Sequence, residues 1–193
     1  MVNSLLRDIA VAAWVIFLVT KRFRRPLSEI GLTTRNFFKG IWTGLLGYLA
    51  VLPVLLALLL FLAWLAKLFS QEPPPQPVVE IYLKESSRRA IVFFSFFVAI
   101  VGPMIEEIFF RGFAYPALRS RFGIRMATIG SALIFAAMHM NLMAFFPIFV
   151  LGLVLTYLYE KTGSLVPCMT VHILHNLIMV GLLLGFKSLS IPT

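Results

Sequence analysis

The sequence predicts an all-α fold, a polytopic membrane bundle of about six transmembrane helices. Three observations predict it. Sixty per cent of the 193 residues are hydrophobic and the mean hydropathy is +0.94, a composition that belongs to integral membrane proteins. The apolar residues fall in long runs without charge, each near the length needed to cross a bilayer. The basic residues gather in the short connections between those runs, so the net charge of +9 reads as the positive-inside pattern, with attraction to anionic lipid, and not as a nucleic-acid surface. The chain is expected in the plasma membrane as a multi-pass protein.

The first segment runs from Leu5 to Thr20 and is short for a span. Lys21, Arg22, Arg24, Arg25, Arg35 and Lys39 form the basic connection after it. The second, Ile41 to Ala66, is free of charge and long enough to cross with tilt. Gly40 and Gly44 stand four apart, so they either admit a neighbouring helix closely or are small residues at a helix start. Gln71 to Arg89 holds Pro73, Pro74, Pro75 and Pro77 and reads as a polar loop with a short polyproline piece.

The third segment is Ile91 to about Leu118, and Gly123 is a plausible stop beyond the basic turn of Arg119, Arg121 and Arg125. Met126 to Tyr159 carries no formal charge and is too long for one span. Asn141 and Pro147 suggest a division into Met126–Met140 and Leu142–Tyr159. A turn at Glu160, Lys161 and Gly163 leads to the sixth segment, Ser164 to Phe186. If every segment crosses, the basic connections at 21–39 and 119–125 share the cytoplasmic side with the turn at 160–163. The single cysteine, Cys168, excludes an internal disulfide and is expected to pack inertly.

The strongly polar residues inside these runs are few: Glu106, Glu107, His139, His172, His175 and Asn176, with Arg111 nearby. A charge near the bilayer centre costs at least ~2.5–3.5 kcal/mol, so such groups face a partner, water or a function. Glu107 and Arg111 are four apart and can pair on one helix face. Glu106 is turned about 100° away. His172 and Asn176 share a face, and His175 lies off it. Measured along ideal helices from their basic anchors, Glu106, His139 and His172 lie ~20, ~21 and ~17 Å deep, so all three can meet at one level.

A carboxylate with an imidazole can hold and deprotonate a water. An imidazole and a carboxamide can donate to a developing oxyanion. These are the parts for amide hydrolysis without a covalent nucleophile. Two activations of the water stay open: one without metal, and one on a zinc held by Glu106, His139 and His172. Intramembrane Glu and His also serve proton pathways, and a set of this kind can be purely structural, so a proton-coupled transporter and a non-catalytic protein stand beside the hydrolase.

Three motifs in order resemble the CPBP family of intramembrane proteases, which includes CAAX prenyl endopeptidases and bacteriocin-processing or Abi-type immunity proteins. Glu106-Glu107-Ile108-Phe109-Phe110-Arg111 is similar to E-E-x-x-x-R, Phe135-Ala136-Ala137-Met138-His139 to F-x-x-x-H, and His172-Ile173-Leu174-His175-Asn176 to H-x-x-x-N. Phe110-Arg111-Gly112, Tyr115-Pro116-Ala117-Leu118 and Thr162-Gly163-Ser164-Leu165 look similar as well. The resemblance covers about Gly102 to Leu177. It implies a catalytic bundle over 91–193, following N-terminal transmembrane helices and a polar loop over 1–90, within one compact membrane domain. It implies that Glu106 and His139 activate the water, that His172 and Asn176 form the oxyanion pocket, and that Glu107 and Arg111 support the site as an ion pair. The implied partner is a peptide or membrane-associated protein segment. The runner-up is a membrane immunity or scaffold protein.

Overall fold

The computed structural model describes residues 2–69 and 77–190, all of them helical or in short connections. Eight α-helices follow one another: α1 (Val2–Phe17), α2 (Phe37–Leu68), α3 (Pro77–Lys84), α4 (Arg88–Phe96), α5 (Gly102–Phe109), α6 (Tyr115–Met138), α7 (Leu142–Thr162) and α8 (Leu165–Ser190). Wide π turns at Phe97–Val101 and Phe110–Ala114 join α4, α5 and α6 into one rod from 88 to 138. Among the described residues, four helical stretches are long and apolar enough to cross a membrane: Phe37–Leu68, Arg88–Met138, Leu142–Thr162 and Leu165–Leu189. The 51-residue stretch among them is interrupted at Gly123, whose φ of 76° and ψ of 171° leave the helical region. Only glycine adopts that conformation freely, so the expected stop at this residue is where the rod breaks. Counting its two arms separately and adding α1 gives the six rods expected, although α1, with 16 residues, is shorter than the four long stretches.

One expectation is corrected. Pro77 does not lie in a loop: it opens α3, which runs to Lys84. Proline suits the first turn of a helix, where its missing N–H has no carbonyl to meet. Pro73, Pro74 and Pro75 lie outside the described residues. Tyr82 of α3 is buried, and its hydroxyl donates to Ser95 Oγ at 3.1 Å. Lys187 near the end of α8 donates to the carbonyls of Tyr82, at 2.6 Å, and of Glu85. These carbonyls close α3, and a cation there also meets the negative end of the helix dipole.

The division between the fourth and fifth segments falls at Asn141, whose Oδ1 accepts from Ala144 N at 2.8 Å and starts α7. Pro147 is inside α7 and does not break it. Gly163, at φ 62°, closes that helix.

The core lies where α2, α6, α7 and α8 meet, around Tyr48, Leu55, Phe135, Leu151, Leu155, Leu165, Cys168 and Val171. Of the two readings of the glycines on α2, close approach holds. A Cβ on Gly44 would come within 2.6 Å of Thr170 Cβ and 2.7 Å of the Pro167 carbonyl on α8. Small residues let membrane helices gain contact where no hydrophobic force drives them together. The outward residues of α2, including Trp42, Leu46, Leu49, Leu60 and Trp64, are exposed and apolar, as a lipid-facing surface requires. The connection before α2 is fastened to α8: Leu165 N donates to the Gly31 carbonyl at 2.8 Å. At the other end of α6, Glu160 accepts from the Tyr115 hydroxyl at 2.7 Å and pairs with Arg119 at 3.1 Å.

Candidate functional site

Helix α5 sits between two widened turns, and proline explains both. Pro103 follows the first turn and Pro116 the second, each two residues after the turn's last residue. A proline ring collides with the carbonyl four residues back and offers no N–H, so the helix widens by one residue instead. The short helix so isolated carries both Glu106 and Glu107.

Glu107 is sealed. Its side chain and that of Arg111 have no exposure, and Arg111 Nη1 donates to Glu107 Oε1 at 2.9 Å. Arg111 Nη2 donates to the Gly152 carbonyl on α7 at 3.2 Å. The guanidinium lies 4.5 Å from the centroid of the Phe135 ring and 5.8 Å from that of Phe110, so the quadrupoles of two aromatic rings add to the pairing. A Cβ on Gly152 would meet Ala132 Cα at 3.2 Å and Phe135 Cδ1 at 3.3 Å. The glycine lets α7 lie close enough to offer its carbonyl.

From α8, His172 Nδ1 meets the same Glu107 oxygen at 2.8 Å. With Glu107 ionised opposite Arg111, that oxygen only accepts, so Nδ1 carries the hydrogen. The other nitrogen, Nε2, faces Glu106 Oε2 at 3.8 Å. One imidazole therefore spans both acids through the two edges of its ring. Glu106 differs from Glu107 in exposure: 36% of its side chain is accessible, against 0% for Glu107. Its Oε2 is nonetheless buried and without a hydrogen-bond partner, as are Glu107 Oε2, Arg111 Nε and Ser131 Oγ. Such orphaned atoms are uncommon in a settled core.

His139 closes α6, and its Nδ1 donates to the Phe135 carbonyl at 2.8 Å. That fixes the tautomer and leaves Nε2 with a free lone pair. Its ring lies against Phe135 at 5.0 Å, and Phe135 also touches His172 at 5.5 Å. Phe135 is thus a common wall for both imidazoles and the guanidinium.

The structure brings together Glu106, Glu107, Arg111 and His172 directly, and His139 through Phe135. Two contacts add detail that spacing alone does not give. The ring that meets Glu106 within 4 Å is His172, on α8, and no such contact joins Glu106 to His139. Asn176, on the same helix face as His172, donates from Nδ2 to the Val98 carbonyl at 2.9 Å. Among the described residues, no three His, Cys, Asp or Glu side chains gather closely enough to hold a metal ion.

Sequence reasoning missed four contributors. Gly152 and Val98 act through backbone carbonyls. Phe135 enters the sequence reading only as a motif position four residues before His139, with no role as a shared wall. Tyr48, on a helix with no motif, places its buried hydroxyl 3.4 Å from His175 Nδ1, and the rings meet edge to face at 6.0 Å. A tyrosine in the middle of a lipid-grade run is the signal that could have found it.

Residues 88–178 match the family model described as Type II CAAX prenyl endopeptidase Rce1-like. Neither curated proteins nor solved structures give a match. The matched stretch begins with α4 and ends just beyond Asn176, so it takes in every polar group described above except Tyr48. Over residues 88–178 the chain is similar to the Rce1-like type II CAAX prenyl endopeptidases.

Proposed function

We propose that this protein is an intramembrane endopeptidase that cleaves a peptide bond with a water activated by Glu106. The single observation that carries the reading is the contrast within the acid pair: Glu107 is fully enclosed, while Glu106 is partly open beside His172 Nε2 at 3.8 Å. An ionised carboxylate at the accessible edge of a sealed polar cluster is where a water can be both held and deprotonated.

In this mechanism the water oxygen attacks the scissile carbonyl carbon and its proton passes to Glu106. The lone pair on His139 Nε2 orients the same water. The carbonyl oxygen becomes an oxyanion, and His172, held at Nδ1 by Glu107, turns an Nε2–H toward it when charged. The C–N bond then breaks and the proton on Glu106 moves to the leaving amine. Glu107 and Arg111 touch no reacting atom and hold the imidazole in place. No step passes through a metal. The substrate is a peptide or membrane-associated segment, and the family description suggests a prenylated C-terminal tail as the first to try.

The test is cleavage in proteoliposomes, read by mass spectrometry. Three probes are used: a peptide ending in a farnesylated cysteine motif, its unprenylated counterpart, and a transmembrane-helix peptide. Wild type is expected to cleave at least one, and Glu106→Gln none, at equal protein level and melting temperature. Unchanged cleavage by Glu106→Gln removes the proposed base. No cleavage by wild type leaves the polar core a structural device, as in a scaffold or immunity protein.

A further inference from the structure

We infer that His175 binds the substrate backbone: Tyr48 fixes its ring as a hydrogen-bond donor, and the free N–H takes a peptide carbonyl beside the scissile bond. Tyr48 acts through His175 and is a positioning residue. The inference rests on the peptidase reading and leaves the roles of Glu106, His139 and His172 unchanged.

The three imidazoles differ in which nitrogen carries the hydrogen. His139 gives its Nδ1 hydrogen to the Phe135 carbonyl, and His172 gives its own to Glu107. Each neutral ring is left with a lone pair on Nε2. His175 is set the other way. Tyr48 is 1% exposed, so its O–H needs an acceptor inside the protein. Among the described residues the hydroxyl meets one, His175 Nδ1 at 3.4 Å. Were the ring to donate instead, the phenolic hydrogen would be stranded. Nδ1 therefore accepts, and the hydrogen of the neutral ring is on Nε2.

The seating of α2 on α8 brings this about. Gly40, Gly44 and Tyr48 form one row, four residues apart. A Cβ on Gly40 would come within 2.8 Å of Val166, and one on Gly44 within 2.6 Å of Thr170. The two glycines let the helices touch, and the next residue of the row, Tyr48, meets His175 edge to face at 6.0 Å. His175 Nε2 makes no hydrogen bond to the described residues and is not one of the sealed orphan atoms. An N–H at this depth needs an acceptor that lipid does not have. His175 is three residues beyond His172, a rise of ~4.5 Å along α8, and an extended peptide advances ~3.3 Å per residue. With the scissile carbonyl at His172, the acceptor is a carbonyl one or two residues along the substrate. A contact to backbone fixes where the chain lies and is indifferent to its side chains.

Two measurements test this. The first is nitrogen NMR of protein with isotope-labelled histidine in lipid nanodiscs, the His175 signal among the three histidines being the one lost in His175→Gln. His175 is expected in the Nε2–H form, and Tyr48→Phe is expected to remove that preference. A neutral His175 with its hydrogen on Nδ1 overturns the inference, whatever the protein cleaves. The second is binding and cleavage of the farnesylated, unprenylated and transmembrane peptides in proteoliposomes. His175→Leu is expected to raise KM by about tenfold with kcat within about threefold of wild type, because the lost contact serves ground and transition state alike. It is expected to weaken binding equally when Glu106→Gln blocks cleavage. His175→Gln, whose amide can still donate, is expected within about threefold of wild type in both constants. Tyr48→Phe is expected to raise KM by less than His175→Leu, and it carries the test if His175→Leu does not fold. An unaltered KM, or a loss confined to kcat, overturns the inference while the peptidase reading stands. If wild type binds a peptide without cleaving it and His175→Leu weakens that binding, the peptidase reading fails and the inference stands. If no peptide is bound or cleaved, both fall.

Discussion

Glu106 and Glu107 are neighbours in sequence with the same side chain, and the fold treats them oppositely. Glu107 is fully enclosed and pairs with Arg111 and His172, both of which pack on the Phe135 ring. Glu106 is one residue further round the helix and keeps an accessible edge. The 100° step of an α-helix is enough to separate an enclosed acid from one with an accessible edge. The lesson is that an acidic pair in an apolar run divides its surroundings by helix face, and that the face with a cation four residues on becomes the enclosed one.

The largest effect that would break this contrast is on activity. Glu106→Gln should lower peptidase turnover by about 10²–10⁴-fold, the usual contribution of a general base, while the melting temperature stays within a degree or two of wild type. A large fall in melting temperature would mean that Glu106 is as structural as its neighbour. Next is the sealed side. Arg111→Met leaves Glu107 without its cation in a dry site and should destabilise by about 3–5 kcal/mol. Combining it with Glu107→Gln should recover much of that loss in a double-mutant cycle read by chemical or thermal unfolding. Strict additivity of the two would deny the pair its place as a unit.

A smaller effect tests whether enclosure depends on tight helix packing. Gly44→Ala puts a methyl group where Thr170 and Pro167 already stand and should cost about 1–3 kcal/mol by pushing α2 off α8. The smallest effect is the matching control. A Cβ on Gly130 would meet nothing within 4 Å, so Gly130→Ala should be neutral or stabilise by up to about 1 kcal/mol through helix propensity. A costly Gly130→Ala variant would show that the face of α6 taken to be free is covered by something.

The polar half of the site is legible in the sequence because its background is so plain. In runs of Leu, Ile, Phe and Val, two acids, three imidazoles and an amide stand out, and spacing alone pairs Glu107 with Arg111. The helical class comes from composition, and Gly123 and Asn141 mark real boundaries through their own dihedral and capping chemistry. The hidden part is carried by the backbone. The carbonyls of Gly152 and Val98 have no letter in the sequence, and only the contact between helices decides which of them a side chain reaches. Pro103 and Pro116 foreshadow the π turns, although a proline in an apolar run announces a disturbance without giving its form. Pro77 reads wrongly because a proline that ends one helix and a proline that begins another are the same residue, told apart only by whether the residues after it turn into a helix.

The order of these contacts along the chain has a consequence for biosynthesis. The acids on α5 leave the ribosome well before the carbonyl of Gly152, and earlier still than His172. Until the last described helix has inserted, Glu107 has Arg111 for company and no imidazole, and the connection at Gly31 waits for its clasp at Leu165. A chain caught part-way through synthesis therefore has its acids in the bilayer without the ring that bridges them. Completion of the polar cluster coincides with the arrival of α8.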